Sequence, residues 1–460
     1  MTDLLVGARA RRRFGKSTAT RPEPGQRPRV VVVGSGYAAL QTLRFLEARL
    51  PADAAALTSL SPTDHLLYTS LLPEVCAGVV EPRHLAVATR GVLKRTVPRL
   101  GHAISVNLTE RTVTCTDHVA NEPSTVGWDR LVLAPGAITR TFDIPGLVEH
   151  AVGLKNLAEA AYLRDHVIRQ MENADACDDP AQRRARCTFV VVGAGYTGTE
   201  LAAQMSRFTR REARHFPRLN PDEIRWILLD LKPRVLPELA EALGTRAAGV
   251  LAERRVDVRL GCSLAEVAAD SVTLTDGSSV PTHTVVWCAG VAPSPLMSTL
   301  GLPTTKGRLN VDAMLRVPGA DGVFALGDAA AVPDVTKGNA PAGQTAQNAL
   351  RQGITAGRNV AASLGYGKAR PYKHRDLGFV VDLGGTDAVA NPLGITLSGL
   401  PAAAVTRAYH LYAIGSFTNQ LRVASDWTLS ALSPTQIVQL GFLRPRDSSI
   451  VAAEHTDIYV

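Results

Sequence analysis

Two glycine-rich turns stand about 160 residues apart, each directly after a Val-rich run: Arg29-Val-Val-Val-Val-Gly34-Ser-Gly36-Tyr37-Ala-Ala39 and Thr188-Phe-Val-Val-Val-Gly193-Ala-Gly195-Tyr196-Thr-Gly198. The chemistry this spacing serves is the binding of a pyrophosphate. The first glycine turns tightly at the end of a buried strand, and the second lets backbone N–H groups approach the anion. The third position, Ala39 or Gly198, keeps helix and strand close. The positive end of the following helix completes the cradle. A single turn of this kind is equally a plain strand-to-helix connection; two copies with the same flanks point to two dinucleotides on one chain.

Two carboxylates stand where such a site would use them. Asp230 closes the run Ile224–Asp230, where a carboxylate can accept hydrogen bonds from an adenosine ribose and repel a 2′-phosphate, with Lys232 and Arg234 nearby as opposing charges. Asp328 closes Asp321-Gly-Val-Phe-Ala-Leu-Gly327-Asp328 and either meets a cofactor or caps the next helix.

The elements that must position these residues alternate. After the first glycine turn, Leu40, Leu43, Leu46 and Leu50 recur at helical spacing, and Trp128–Gly136 reads as an apolar strand running into an Ala134-Pro-Gly136 turn. Leu157 to Met171 is predicted as an amphipathic helix and Asn173 to Arg186 as a charged linker. Ser271–Ser278 reads as a hairpin, and Thr284–Gly290 as a strand ending at Gly290. This βαβ alternation throughout predicts α/β architecture with parallel, doubly wound sheets.

Composition bounds the rest. The chain has 460 residues, 45% hydrophobic and 20% charged, which suits a large enzyme of two or three domains. No run approaches the roughly 18 to 20 apolar residues of a membrane span, so membrane contact is expected to be peripheral. Part of the net charge of +8 lies in the leading stretch from Arg9 to Arg21, read as a disordered basic tail, with an organelle transit peptide left open and no nucleic-acid partner expected. Six cysteines without a CxxC pair fit a reducing, cytoplasmic setting. No metal site is expected.

Taken in order, the first glycine turn, the Ala-Pro-Gly136 turn, the second glycine turn with Glu200, and the Phe-Ala-Leu-Gly-Asp328 strand resemble the two-dinucleotide-binding-domain flavoproteins. His65-Leu-Leu-Tyr68-Thr-Ser-Leu-Leu-Pro73-Glu-Val, Thr345-Ala-Gln347-Asn-Ala-Leu-Arg-Gln352 and the carboxyl-terminal third narrow the resemblance to the type II NADH dehydrogenases, from about Arg29 to about Phe442. The resemblance implies two Rossmann-like domains and a C-terminal α+β region that docks on a membrane. The FAD domain is expected over 29–152 and 294–370, with an NADH domain inserted over 153–293, a C-terminal region over 371–443, and tails over 1–28 and 444–460.

It also implies roles. FAD would lie against Gly34, Gly36, Tyr37, Ala39, Ser61, Ala134, Gly136, Asp328 and Gln347, with Ser61 standing where the family has a ribose-binding acid. NADH, preferred over NADPH, would lie against Gly193, Gly195, Tyr196, Gly198, Glu200, Asp230 and Gly290. Glu200 near the nicotinamide, and Gln347 and Gln352 beside flavin and quinone, are the implied catalytic residues, since an uncharged amide can donate to a quinone carbonyl in an apolar pocket. The family often carries Asp-Lys-Gly in its C-terminal sheet, where this chain has Val381-Asp382-Leu383-Gly384.

The implied activity is NADH oxidation coupled to quinone reduction without proton pumping, on the inner face of the cell membrane. A reductase of a redox-protein partner and a weakly catalytic NADH sensor are the alternatives. Disulfide and sulfide chemistry is disfavoured: no CxxxxC follows the first glycine turn, and no cysteine follows Cys288. The segments Thr406–Phe417 and Ile437–Phe442 mix aromatics, leucines and arginines. The resemblance implies amphipathic helices docked on a membrane; a homodimer contact or plain core are the alternatives.

Overall fold

Five strands build each of two parallel sheets, and the Val- and Leu-rich central strands of each are buried on both faces. The computed structural model describes residues 27–116, 122–442 and 448–450. The first sheet has the order Val323–Ala325, Arg130–Leu133, Arg29–Val33, Ala56–Ser61, Val97–Leu100, every neighbouring pair parallel. The second repeats the plan with Ala151–Val152, Val285–Trp287, Thr188–Val192, Arg225–Asp230 and Val256–Leu260. Sheets covered on both faces are made of continuous β-branched runs rather than alternating ones, which is why both Val-rich segments sit mid-sheet. The two crossings between sheets lie side by side, where Ala137–Thr139 pairs antiparallel with Val291–Pro293.

Antiparallel sheets accompany the two parallel ones, and the expected Ser271–Ser278 hairpin belongs to one of them. Three of them, among the described residues, have three strands: Ala103–Asn107 with Thr112–Cys115 and Ser124–Gly127, Leu264–Val267 with Ser271–Leu274 and Ser279–Pro281, and Val380–Gly384 with Asp387–Ala390 and Leu397–Ser398. Short strands that follow closely in sequence pair this way because a parallel return needs a long crossover.

The predicted charged linker is largely helical. A capping box between Asn156 and Glu159 starts the Leu157–Ala176 helix, which runs past Met171. Asp179 then caps a second helix, Pro180–Arg186, by accepting from the Ala181 N–H at 2.8 Å, with proline at its first position.

The C-terminal region contributes two helices, Leu400–Ile414 and Phe417–Leu432. Ile437–Phe442, expected as a helix, is instead irregular chain tied to the 157–176 helix. The Leu440 and Gly441 N–H groups donate to Asp165 at 3.0 and 2.6 Å, after Pro434 has broken the helical path. The tail expected beyond 444 is partly corrected as well, because Ile450 is fully buried in the core of the second sheet. The basic tail expected over 1–28 lies outside the described residues except for Arg27 and Pro28.

Candidate active site

Each parallel sheet ends in the same device. The backbone turns at Gly34 and Gly193 with φ of +111° and +107°, the left-handed region that favours glycine. A Cβ at Gly34 would stand 2.2 Å from the Ala134 carbonyl oxygen, and one at Gly193 would stand 2.7 Å from that of Cys288. Gly36 and Gly195 cap the helices Tyr37–Arg49 and Tyr196–Glu212 without any side-chain capping bond, and a Cβ at either would meet nothing within 4 Å. Unsatisfied N–H groups and a positive helix end therefore face open space twice.

Both open onto one cavity of about 1640 Å³. A pocket for one drug-sized ligand is roughly 300–1,000 Å³, so this space is of a size for two larger ligands. Gly36, Tyr37, Ala134, Gly136, Asp328 and Gln347 line it from the first sheet's side, and Gly193, Gly195, Tyr196, Glu200, Asp230 and Gly290 from the second's.

Five predicted residues do not line it. Gly34, Ala39 and Gly198 act through packing: Ala39 is fully buried, and a Cβ at Gly198 would stand 1.9 Å from the Gly193 carbonyl oxygen. Ser61 is corrected, since its buried hydroxyl accepts from the Thr63 N–H at 3.2 Å and is turned away from the cavity. Ser35 and Thr63, whose hydroxyls meet at 2.8 Å, face the cavity in its place. Gln352 is also corrected. It is 1% exposed, and its Oε1 accepts from the Gly327 N–H at 2.7 Å, so it supports the turn that carries Asp328.

Gln347 reaches the cavity, yet its amide is engaged. Nε2 donates to the Gly378 carbonyl at 3.0 Å, Oε1 accepts from the Leu377 N–H at 3.2 Å, and the Tyr409 side chain bonds to the same amide. The segment held in this way, Asp376-Leu377-Gly378, lines the cavity. Leu383 of the second Asp-Leu-Gly, Asp382–Gly384, is fully buried in the core. The comparison of Leu383 with a cofactor-facing lysine is therefore corrected, and the Asp-Leu-Gly that faces the site is the earlier one.

The carboxylates differ in setting. Asp230 braces the second glycine turn, accepting from the Ala194 N–H at 2.6 Å and the Lys232 N–H at 2.7 Å. Burial raises the Asp328 pKa, with the charges of Lys155 and Arg308 acting against the shift. Glu200, 7% exposed, accepts from the Asp382 N–H at 2.8 Å; burial, with Asp382 and Glu74 close by, holds its carboxyl well above the usual range. Tyr196 stacks on Phe379 with ring centres 5.8 Å apart, and its buried hydroxyl meets no partner among the described residues.

Cys76 and Cys288 are not poised as redox groups. Burial pushes Cys288, at the cavity wall, up to about 12 and also raises Cys76, so both stay protonated. Lys155, His374, Asp376 and Tyr409 line the cavity as well and were missed in the sequence. Only Lys155 left a signal, standing directly before the Asn156–Glu159 capping box.

The comparisons with known proteins agree with this geometry. The pyridine nucleotide-disulphide oxidoreductase family matches residues 28–353. The chain is 30% identical to the type II NADH:quinone oxidoreductase NdhA of Mycobacterium tuberculosis, over 88% of this chain and 87% of that one. It is 29% identical to Ndh of the same organism, over 89% of each. NDH2 of Plasmodium falciparum in complex with NADH shares the fold with a TM-score of 0.82 at 16% identity, covering 90% of this chain and all of that one. The chain thus belongs to the pyridine nucleotide-disulphide oxidoreductases and, within them, to the type II NADH:quinone oxidoreductases.

Proposed function

We propose that this chain oxidises NADH and reduces a quinone through FAD held in the shared cavity, without pumping protons. The observation that carries the reading is that two uncapped helix N-termini, one from each parallel sheet, open onto a single space whose wall is completed by the C-terminal region. FAD, when bound, accepts hydride from NADH and returns two electrons to the acceptor.

The chain's own residues bind and orient. The Gly36 turn would hold the FAD pyrophosphate, with Ser35 and Thr63 serving the adenosine end and Asp328 the ribityl region, whose hydroxyls would donate to its carboxyl. The Gly195 turn would hold the NADH pyrophosphate. Asp230, with lone pairs free beyond its two backbone bonds, would accept from the adenosine ribose, and Gly290, with no Cβ, would admit the nicotinamide half. Gln347 fixes the Leu377–Gly378 backbone at the acceptor end, and Tyr409 offers a hydroxyl beside it.

Access to quinone fits a peripheral membrane surface. Phe417 (79% exposed), Leu421, Leu429 and Leu432 (80%) recur along one side of the Phe417–Leu432 helix, with Leu440 and Phe442 also exposed and Arg422 in the same helix. No helix among the described residues is long and apolar enough to cross a membrane. Co-sedimentation with anionic vesicles tests the surface. Vesicle-independent dimerisation that covers these residues would replace this reading, and docking on the inner face of the cell membrane depends on it.

The central test is an anaerobic visible spectrum of FAD-loaded protein mixed with NADH and then with a water-soluble quinone. Bleaching followed by recovery is expected. Bleaching without recovery would move the function to a protein acceptor or a sensor, and absence of a flavin band would remove the reading altogether. Gln347→Leu should slow the recovery and spare the bleaching.

A further inference from the structure

Lys155 and Asp328 bring opposite charges to one cavity from the two different sheets. Lys155 follows the strand Ala151–Val152 of the second sheet, and Asp328 follows Val323–Ala325 of the first. Both are half-buried and line the cavity. Neither the ammonium nor the carboxyl has a hydrogen-bond partner among the described residues.

The backbone that carries each of them is fixed. Glu159 Oε2 accepts from the Lys155 and Asn156 N–H groups, and Asn156 Oδ1 accepts in turn from the Glu159 N–H at 2.8 Å. A Cβ on Gly153 would stand 2.3 Å from Glu159 Oε1, so the approach of the chain to this clamp needs a glycine. On the other side Gln352 holds the Gly327 N–H, and Gln344 Nε2 donates to the Asp328 carbonyl at 3.3 Å. Burial raises the Asp328 pKa, and the charged groups that act on it are Lys155, with the larger effect, and Arg308. Arg308 is tied to backbone, since its Nη1 and Nη2 donate to the Ala342 and Ala330 carbonyls. The Lys155 ammonium is therefore the cation near Asp328 whose donors are not already engaged.

We propose that Lys155 is a positioning residue for FAD: its ammonium is the counter-ion that keeps Asp328 a carboxylate, the form that accepts hydrogen bonds from the ribityl hydroxyls. The grip on the cofactor then draws on both sheets, with the carboxylate from the first and its counter-ion from the second. The proposal rests on the reading that FAD occupies the first cradle. The direction of the pH effect follows from the charges. The ionised carboxyl is the form that binds, so FAD affinity is complete above the Asp328 pKa of the apoprotein and is lost as pH falls through it. Without Lys155 that pKa rises further, and the loss begins at a higher pH.

The test is a titration of the apoprotein with FAD, followed by flavin fluorescence, from mildly acid to mildly alkaline pH. Lys155→Met should weaken FAD binding about tenfold at the acid end, the scale of one hydrogen bond to a charged group, and much less at the alkaline end. Lys155→Arg should restore the wild-type profile. Asp328→Asn should weaken binding at every pH, and Lys155→Met added to it should change little, because the group that Lys155 serves is gone. A Lys155→Met profile parallel to that of the wild type would overturn the proposal. So would the full Lys155→Met effect in the Asp328→Asn background, or wild-type affinity in Asp328→Asn alone. If Lys155→Met does not fold, Lys155→Gln takes its place in the same comparisons. Failure of the wild-type apoprotein to bind FAD at any pH would instead sink the reading of the first cradle as an FAD site.

Discussion

The two dinucleotide cradles share a turn and differ in how they keep their helices close. Gly34 and Gly193 turn alike, and both helices start uncapped. In the second cradle the glycine that permits close packing lies on the cradle helix itself, because Gly198 is pressed onto the Gly193 carbonyl. In the first, that place is Ala39, and the small residues sit on a neighbouring helix, Ala346–Ser363. There a Cβ on Gly353 would stand 2.5 Å from the Ala38 carbonyl oxygen and one on Gly357 would stand 2.8 Å from Phe45 Cβ. The same turn can thus be closed from inside the βαβ unit or from outside it. Only closure from inside leaves a G-x-G-x-x-G pattern in the local sequence.

The most damaging change should be Gly198→Ala, which drives a methyl group to 1.9 Å from the Gly193 carbonyl oxygen. The clash can be relieved only by moving the helix off the turn, and overpacking of this kind costs about 1–3 kcal/mol or more. NADH affinity should fall about a hundredfold, in line with the upper end of that range. FAD content, read from the visible spectrum, should stay at the wild-type level. Parallel loss of both cofactors would mean that the cradles are coupled and the comparison is wrong.

Acid should affect both regions through buried histidines. Burial holds His410, bonded to Tyr68 beside the first cradle, down to about 4, and His166, bonded to Thr284 beside the second sheet, also to about 4. The unfolded chain takes up protons below its ordinary histidine value of about 6.5, whereas the folded protein refuses them until near 4. The contribution of each neutral histidine is thus complete above that upper value and is lost as pH falls toward the lower one. For the fully buried His410 this loss is on the order of 3 kcal/mol. Denaturant unfolding followed from neutral to acid pH should show a decline that His410→Gln flattens; an unchanged slope would place the acid sensitivity elsewhere.

Next in size is Asp230→Ala. It strips two acceptors from the Ala194 and Lys232 N–H groups and removes the proposed ribose partner. A cost of about 1–3 kcal/mol corresponds to a rise in KM for NADH of roughly tenfold to a hundredfold. Discrimination against NADPH should narrow, because Lys232 remains at the cavity wall. No matching carboxylate exists at the end of the first sheet's second strand, where Ser61 turns inward, so Ser61→Ala should leave FAD retention unchanged.

What was legible in the sequence was local. The glycine turns, the Val-rich strands, Asp230 and Asp328 are each specified within a few residues, and the structure gathers the two acids at one cavity. What was not legible depends on long-range contact. Gln352 and Gln347 lie five residues apart on one helix, too far to share a face, and only the fold shows that the former supports Gly327 while the latter holds Leu377. Two Asp-Leu-Gly triplets six residues apart look alike in sequence; pairing of Val380–Gly384 with Asp387–Ala390 buries Leu383 and leaves Leu377 at the cavity. The Glu74, Asp382 and Glu200 cluster joins residues more than a hundred positions apart, which no periodicity could reveal.

The smallest effect, and the sharpest test of the comparison, belongs to Ala39→Gly. This change gives the first cradle the G-x-G-x-x-G pattern of the second. If the third glycine were needed for pyrophosphate binding as such, FAD should bind more tightly. If its purpose is only to let a helix approach its own turn, nothing is gained, because the Tyr37–Arg49 helix is already held by Gly353 and Gly357 from outside. The variant should then lose about 1 kcal/mol of stability, from the poorer helix propensity of glycine and the loss of a fully buried methyl group, with FAD affinity unchanged in a titration of the apoprotein. A gain in FAD affinity would show that the first cradle is an imperfect copy of the second rather than a different solution to the same packing problem.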